Sequence, residues 1–356
     1  ATHGKRGKQR SVHNTYFTLP VLFAMLANHE GLLVSHPQRW LLLFLMMLAG
    51  ASIRQFFVQK HAWHLGRSAH PWPYAAFGAA IIIGLVVAYL ENYFYPEMVE
   101  RLSVELQKAG YHVLIFLAPV ASVNVDKIVR EIMDYQVDGI VMASVSMSSD
   151  LAARCQATGI PVVLFNRAHE DRNLSSVTSD NYAGGKALAD YLCAMGHDRI
   201  AYIAGFAGAS TQIDREAGFR AGLAEAGKDL FARADGNFDY RTAQAAAREL
   251  FATSRRPDAV FVANDHMAFA VMDVLRFELG LRVPEDVSVV GFDDVPPAAW
   301  PSYNLTTYRQ RVDQMVQETV TMLMTWIASD QPEVSRVVLP GELVIRGSTR
   351  RIGGAR

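Results

Sequence analysis

The chain has almost no cysteine: Cys155 and Cys193 are the only two in 356 residues. Both fall inside apolar helical patterns, so they read as reduced core residues rather than a disulfide framework. No Cys-x-x-Cys occurs, which removes the usual zinc site, and no Cys-x-x-Cys-His, which removes a haem attachment. Charge is also scarce. Asp, Glu, Lys and Arg make up 19% of residues and sum to a net −1, so no global field steers the chain toward nucleic acid or an anionic membrane. Gly184-Gly185 lacks the surrounding glycines or the Lys-Ser/Thr of a phosphate loop and reads as a close-packing pair at a helix start. No Ser-His-Asp set, carboxylate pair or metal-ligand cluster stands out. The expectation is therefore a non-enzyme with no catalytic residue, no metal and no cofactor. The chain opens at Ala1 without a signal-peptide pattern and reads as a fragment or processed product.

What is present divides near residue 80. In the first part, Lys5, Arg6, Lys8 and Arg10 precede two greasy stretches, 16–27 and 40–53. Both are shorter than the roughly 17–25 apolar residues of a spanning helix. The second is too apolar for an exposed helix and calls for a membrane or a deeply buried site. Seven of the eleven histidines fall between His3 and His70; of these, His61 and His64 read as interfacial side chains. The run 71–90 carries no charge and has two readings, a membrane span or, in its second half, a strand. The strand is preferred, because a helix start follows at Pro96.

From Ile81 onward, short β-branched runs alternate with amphipathic helices. Strands are expected at 81–87, 111–117, 139–143, 161–165, 199–204, 259–263 and 287–292. Between them lie patterns such as Val125, Ile128, Val129, Ile132 and Met133, on one helical face. Gly110, Gly159, Gly196 and Gly280 stand where helix C-caps belong. Strands buried on both faces with intervening helices imply parallel sheets with right-handed crossovers. Seven are too many for one small sheet. The fold class expected is α/β, two doubly wound parallel-sheet lobes preceded by a short membrane-like helical segment.

Nine stretches carry a family resemblance: N-Y-F-Y-P-E (92–97), V-D-G-I-V (137–141), S-D-N-Y-A-G-G (179–185), G-H-D-R-I-A-Y-I-A-G (196–205), R-E-A-G-F (215–219), V-A-N-D-H-M-A (262–268), V-P-E-D-V-S-V-V-G-F-D-D (283–294), L-T-T-Y-R-Q (305–310) and V-L-P-G-E-L-V-I-R-G-S-T (338–349). In order and spacing over some 270 residues they resemble the LacI/GalR transcriptional regulators. The resemblance implies a fold like that of periplasmic sugar-binding proteins, with a small sugar-like or purine-like effector between lobes, and a homodimer. It also implies a helix-turn-helix ahead of the first strand. No basic, capped helix pair is found there, so operator DNA is expected as a partner only if that head is supplied elsewhere. The stretch 11–29, with I-R-Q-F-F near Ile53 and P-W-P-Y near Pro71, resembles the last membrane helices of bacterial membrane-bound urate oxidase. The haem domain of that family is missing, so urate oxidation is not expected. The organisation expected is a helical segment at 1–75, a first lobe at 81–178 plus 306–332, and a second at 179–305 plus 333–350. A chimeric junction near Ala80 fits these two resemblances. A cytoplasmic sensor is expected, tethered to a membrane if residues 15–53 insert. The alternative is a membrane-tethered substrate-binding protein for sugar uptake or sensing.

A polyhydroxylated or nitrogenous ligand asks for planar hydrogen-bonding groups and aromatic faces. Arg215 offers a fork of donors, Asp293 paired acceptors and Asn264 both kinds. Phe94, Tyr95 and Phe238 offer stacking walls, and Asn166 and Gln310 match further family cleft positions. The plainer readings are a surface pairing for Arg215, a turn cap for Asp293 or Asp294, core packing for Phe94 and Tyr95, and a helix N-cap for Asn264. Where the family commonly has Asp-Arg, this chain has Asn166-Arg167, which exchanges a pure acceptor for a mixed group.

Overall fold

Seven runs of β-branched and aliphatic residues fold as the strands their composition predicts. The computed structural model describes residues 81–87, 90–117, 132, 137–143, 159–168, 174–329 and 333–350. The chain divides into two units, Ala1–Ala80 and Ile81–Arg356. All described residues belong to the second. The helical segment expected at 1–75, with the membrane association and histidines assigned to it, lies outside the described residues. Among the described residues, no helix is long and apolar enough to cross a membrane.

Twelve strands form two six-stranded sheets. The first contains β1 (Ile81–Val87), β2 (Tyr111–Leu117), β3 (Gly139–Ala143), β4 (Val162–Phe165), β5 (Ser175–Ser179) and β11 (Arg336–Leu339), in the order β2-β1-β3-β4-β5-β11. All its pairings are parallel. The second contains β6 (Ile200–Ala204), β7 (Ala232–Asp235), β8 (Ala259–Val262), β9 (Ser288–Asp293), β10 (Thr306–Arg309) and β12 (Glu342–Val344). Its order is β7-β6-β8-β9-β10-β12, parallel except for β12 against β10. In each sheet the winding reverses beside its first strand, β1 or β6. Open sheets of this kind bind ligands in the crevice beyond the strand ends at such a point.

The described helices are α1 (Phe94–Lys108), α2 (Asn181–Ala194), α3 (Ser210–Glu225), α4 (Tyr240–Phe251), α5 (Asp265–Asp273) and α6 (Val312–Ala328). The central strands β3, β4, β6 and β8 are buried at every residue, as helices on both faces require. The uncharged run 71–90 resolves as a strand over Ile81–Val87: β1 pairs with β2 on one side and β3 on the other, and Leu85 and Val87 are fully buried. Helix α1 starts at Phe94, two residues before the expected Pro96, and Asn92 Oδ1 accepts from the Tyr95 N–H at 3.1 Å. Gly110 and Gly196 take the left-handed conformation (φ +87° and +72°) that ends a helix without steric penalty.

The chain passes between the sheets three times. It leaves β5 for α2, whose main partner is α3 in the second lobe; it leaves β10 for α6, which packs on α1, β4 and β5; and it runs from β11 directly to β12. The lobe boundaries expected at 306 and 333 are therefore displaced. Residues 306–309 still pair with β9, and 336–339 pair with β5. Backbone pairing sets the lobe of these residues, and their short mixed segments carry no sign of which sheet receives them.

Candidate ligand-binding cleft

Helices α2 and α3 cross closely because glycines meet there. A Cβ on Gly218 would sit 1.9 Å from the Tyr182 carbonyl oxygen, and one on Gly185 2.2 Å from the Arg215 carbonyl oxygen. This crossing carries Arg215 inside, with 2% of its surface exposed. Its Nε donates to Asn181 Oδ1 at 2.7 Å and its Nη1 to the Ala263 carbonyl at 2.6 Å. Its Nη2 stands 3.6 Å from Asp293 Oδ1, and the guanidinium carbon lies 3.6 Å from the centre of the Phe292 ring. Burial lowers the guanidinium's pKa and the Asp293 charge opposes that. An arginine keeps its proton under such pressure.

Asp293 ends β9 with φ +125°, and Asp294 follows at φ +59°. Two successive non-glycine residues at positive φ are strained, and the bend turns Asp293 inward. Burial pushes its carboxyl up to about 6, against the pull of Arg215 and of the Gln310 amide. Gln310 Nε2 donates to Asp293 Oδ1 at 2.6 Å. That bond fixes which way the amide points, since only its nitrogen can face a carboxylate. Gln310 Oε1 is then buried without a partner among the described residues. Asp294 has a different task. Its oxygens pair with Arg309 at 2.6 Å and Arg346 at 2.7 Å, tying the turn to β10 and to the segment after β12.

Across the cleft, Asn166 follows β4 at φ +56°. Its Nδ2 donates to the Tyr95 hydroxyl at 3.2 Å, and its Oδ1 is buried without a partner among the described residues. Tyr95 meets the Phe94 ring edge-on at 5.2 Å. Arg167 Nη1 donates to Thr211 Oγ1 at 2.9 Å, and the Ala168 N–H to Ser210 Oγ at 3.0 Å, so this loop of the first lobe touches the start of α3 in the second. The Arg167 guanidinium stands 5.7 Å from the Phe238 ring centre. Phe238, at φ +59°, lies against Gly205, where a Cβ would come within 2.1 Å of the ring. A cavity of about 350 Å³ has Phe94, Asp293, Val295 and Gln310 in its wall together with the charged Glu97, Arg101, Arg309 and Glu342; Arg215, Asn166 and Phe238 do not line it.

Of the residues singled out by sequence, Asp293 touches both Arg215 and Gln310, and Phe94 shares a cavity wall with Asp293 and Gln310. Asn166 joins through Tyr95, and Phe238 through Arg167. Phe94 and Tyr95 are also core residues, 2% and 5% exposed, so the two readings of them are not exclusive. Asn264 is the N-cap of α5, its Oδ1 accepting from the Met267 N–H at 3.0 Å; the neighbouring Ala263 supplies a carbonyl to Arg215. Sequence reasoning missed Asn181, which lay inside the quoted S-D-N-Y-A-G-G; Phe292, which lay inside the expected strand 287–292; and Gln212. The Oε1 of Gln212 takes the Gly205 N–H at 2.6 Å and the Tyr202 hydroxyl at 2.8 Å.

Two wound sheets with a polar crevice beyond their strand ends define a periplasmic-binding-protein-like sensor. Residues 189–349 match the family described as periplasmic binding protein-like domain. The chain is 32% identical over 259 residues to the HTH-type transcriptional regulator CelR of Thermobifida fusca, covering 72% of this chain and 76% of that one. It is 28% identical over 275 residues to the HTH-type transcriptional repressor PurR of Vibrio campbellii, covering 76% and 81%. Among solved structures, the transcriptional regulator CelR–cellobiose complex superimposes with a TM-score of 0.68 at 30% identity, over 75% of this chain and 84% of that one. A LacI transcriptional regulator from a Rhodococcus species gives 0.68 at 27%, over 75% and 98%. The chain belongs to the LacI family of transcriptional regulators, and its two-lobed unit is the effector-binding core of such a regulator, not an enzyme. Residues 1–89 match a second family, urate oxidase N-terminal, and that match runs into β1.

Proposed function

We propose that the cleft binds a small neutral sugar and that Arg215, Asp293, Asn166 and Gln310 hold its hydroxyls. The observation that carries this is a pair of buried amide oxygens, Asn166 Oδ1 and Gln310 Oε1, with no partner among the described residues. Buried acceptors are nearly always satisfied, so these two call for donors from a ligand. Asp293 adds acceptors and Arg215 adds a donor fork, the complement of vicinal hydroxyls. Phe94 and Phe238 supply apolar faces for a ring. The likeness to CelR, and to its complex with cellobiose, supports a sugar. A purine-like molecule, with its ring nitrogens on the same amides and acid, is the second reading.

The mechanism is a population shift. An effector touching Asn166 in one lobe and Arg215 in the other favours the closed arrangement by its difference in affinity for the two. The Arg167–Thr211 and Ala168–Ser210 bonds are contacts that closure makes. In the cell the sensor works as a cytoplasmic homodimer, and operator DNA is its partner only if a helix-turn-helix is supplied elsewhere. Membrane association through residues 15–53 belongs to the urate-oxidase-like segment and is not needed for sensing. An uptake receptor is the weaker reading, because the relatives are regulators.

The test is a thermal-shift panel of cellobiose, ribose and hypoxanthine on the chain. Ligand at 100 times Kd adds about 2.7 kcal/mol, enough to raise the midpoint by several degrees. Arg215→Ala and Asp293→Ala abolish that rise. An undiminished rise in both variants refutes the cleft.

A further inference from the structure

The structure assigns a positioning role to Asp265: its carboxyl holds the turn after β9 in the shape that turns Asp293 toward Arg215. The side chain is fully buried in the first turn of α5, beside the cap Asn264. Its Oδ2 accepts from the Val295 N–H at 3.0 Å, and its Oδ1 accepts from Thr307 Oγ1 of β10 at 2.6 Å. The two bonds clamp the residue that follows Asp293 and Asp294, whose positive φ angles would otherwise relax. Gly291 gives independent geometric support. A Cβ there would lie 2.2 Å from Asp265 Oδ1 and 2.9 Å from Leu305 Cδ2. The glycine of V-V-G-F-D-D is thus the gap through which the carboxyl reaches the turn.

A second buried carboxyl beside Asp293 is costly as an anion, and nothing in the ligand reading uses it. Burial, with the Asp293 and Asp294 charges adjacent, pushes its carboxyl above the ordinary range, against the bonds from Thr307 and Val295. Asparagine, an acceptor plus a donor of the same shape, is therefore its conservative replacement. Asp265→Asn keeps an acceptor for Val295 and turns a donor to Thr307. Asp265→Ala removes both.

The proposal rests on Asp293 being an effector contact, but its first test needs no ligand. Hydrogen exchange followed by mass spectrometry compares a peptide spanning 291–298 with one spanning 200–204 in β6. Losing a buried hydrogen bond is worth about a tenfold change. Asp265→Ala should raise exchange in 291–298 by about that factor relative to 200–204, and Asp265→Asn should restore protection. Phe251→Leu, which thins the core under α4 and leaves the turn and the cleft alone, controls for general destabilisation. If Asp265→Ala does not fold, Asp265→Ser, too short to reach Val295, takes its place. Equal exchange in both peptides, or an asparagine variant as unprotected as alanine, overturns the role. In a second arm, calorimetry with cellobiose should show about tenfold weaker binding in the alanine or serine variant than in Phe251→Leu; equal affinity there also overturns it. If Arg215→Ala and Asp293→Ala leave cellobiose binding unchanged, the ligand reading fails, and exchange still decides the role of Asp265.

Discussion

Replacing Asp293 with asparagine should make the unliganded chain more stable at neutral pH while destroying its response to effector. The carboxyl titrates near 6 in the folded chain, against an ordinary 3.8, because burial outweighs the help of Arg215 and Gln310. An acid raised in this way favours the folded state at low pH. Its contribution is complete below about pH 4 and is lost as the pH rises from about 4 to 6. Each tenfold in that proton equilibrium is worth about 1.4 kcal/mol, so ionising Asp293 costs the folded chain about 3 kcal/mol at pH 7. A neutral amide at this position would carry no such cost. The same shape keeps the Gln310 contact, and Arg215 keeps its bonds to Asn181 and to the Ala263 carbonyl. The assay is urea unfolding followed by circular dichroism at pH 4.5, 6 and 7.5, parent against Asp293→Asn. The expected result is a variant advantage of about 1 kcal/mol at pH 4.5 that grows to about 3 kcal/mol at pH 7.5. Cellobiose or ribose, if it stabilises the parent, should not stabilise the variant. A variant less stable than the parent at pH 7.5, with the deficit growing as pH rises, would mean that pairing with Arg215 outweighs burial. That would refute the reasoning. A residue that weakens the empty protein and is required by its ligand is the signature of a binding group rather than a structural one.

Gly218→Ala drives a methyl into the Tyr182 carbonyl and should lower the unfolding free energy by at least about 2 kcal/mol, read from the same urea curves. Gly205→Ala pushes on the Phe238 ring, which can swing aside; the expected outcome is about tenfold weaker effector binding with a melting point lowered by only a few degrees. His197 is buried 3.3 Å from Asp258, its imidazole pushed down to about 4, chiefly by burial and then by Arg350. A base depressed in this way contributes stability above pH 6.5 that is lost as pH falls toward 4. The acid limb of the stability profile should therefore be shallower in His197→Gln.

How much of the molecule is legible from its residues differs between strands. The apolar runs of β1, β3, β4, β6 and β8 announce themselves because a strand covered on both faces has no use for a polar side chain. By contrast Ser-Ser-Val-Thr-Ser of β5 looks like a loop, yet all five residues are buried. Neighbours β4 and β11 take its backbone bonds, and Ser175 Oγ accepts from the Ser335 N–H at 3.2 Å. The edge strand β7 is half-exposed and turns only Ala232 and Ala234 to the core, so its signal is faint. The same division holds at the cleft. The residue types needed there, a buried fork, an acid and amides, could be named along the chain. The difference between Asp293 and Asp294 could not, since both are acids in one turn. Only the pair of positive φ angles sends the first toward Arg215 and the second toward Arg309 and Arg346.

Sequence alone determined the two wound lobes and the kinds of group in their crevice, because hydrophobic periodicity and hydrogen-bonding capacity are properties of each residue and its near neighbours. Tertiary structure decided which sheet receives residues 306–309 and 336–339, and that Asn264 spends its oxygen on a helix cap. It also decided that Asn166 and Gln310 keep a buried oxygen without a partner among the described residues. These depend on which distant backbone arrives beside a side chain, and no local pattern records that.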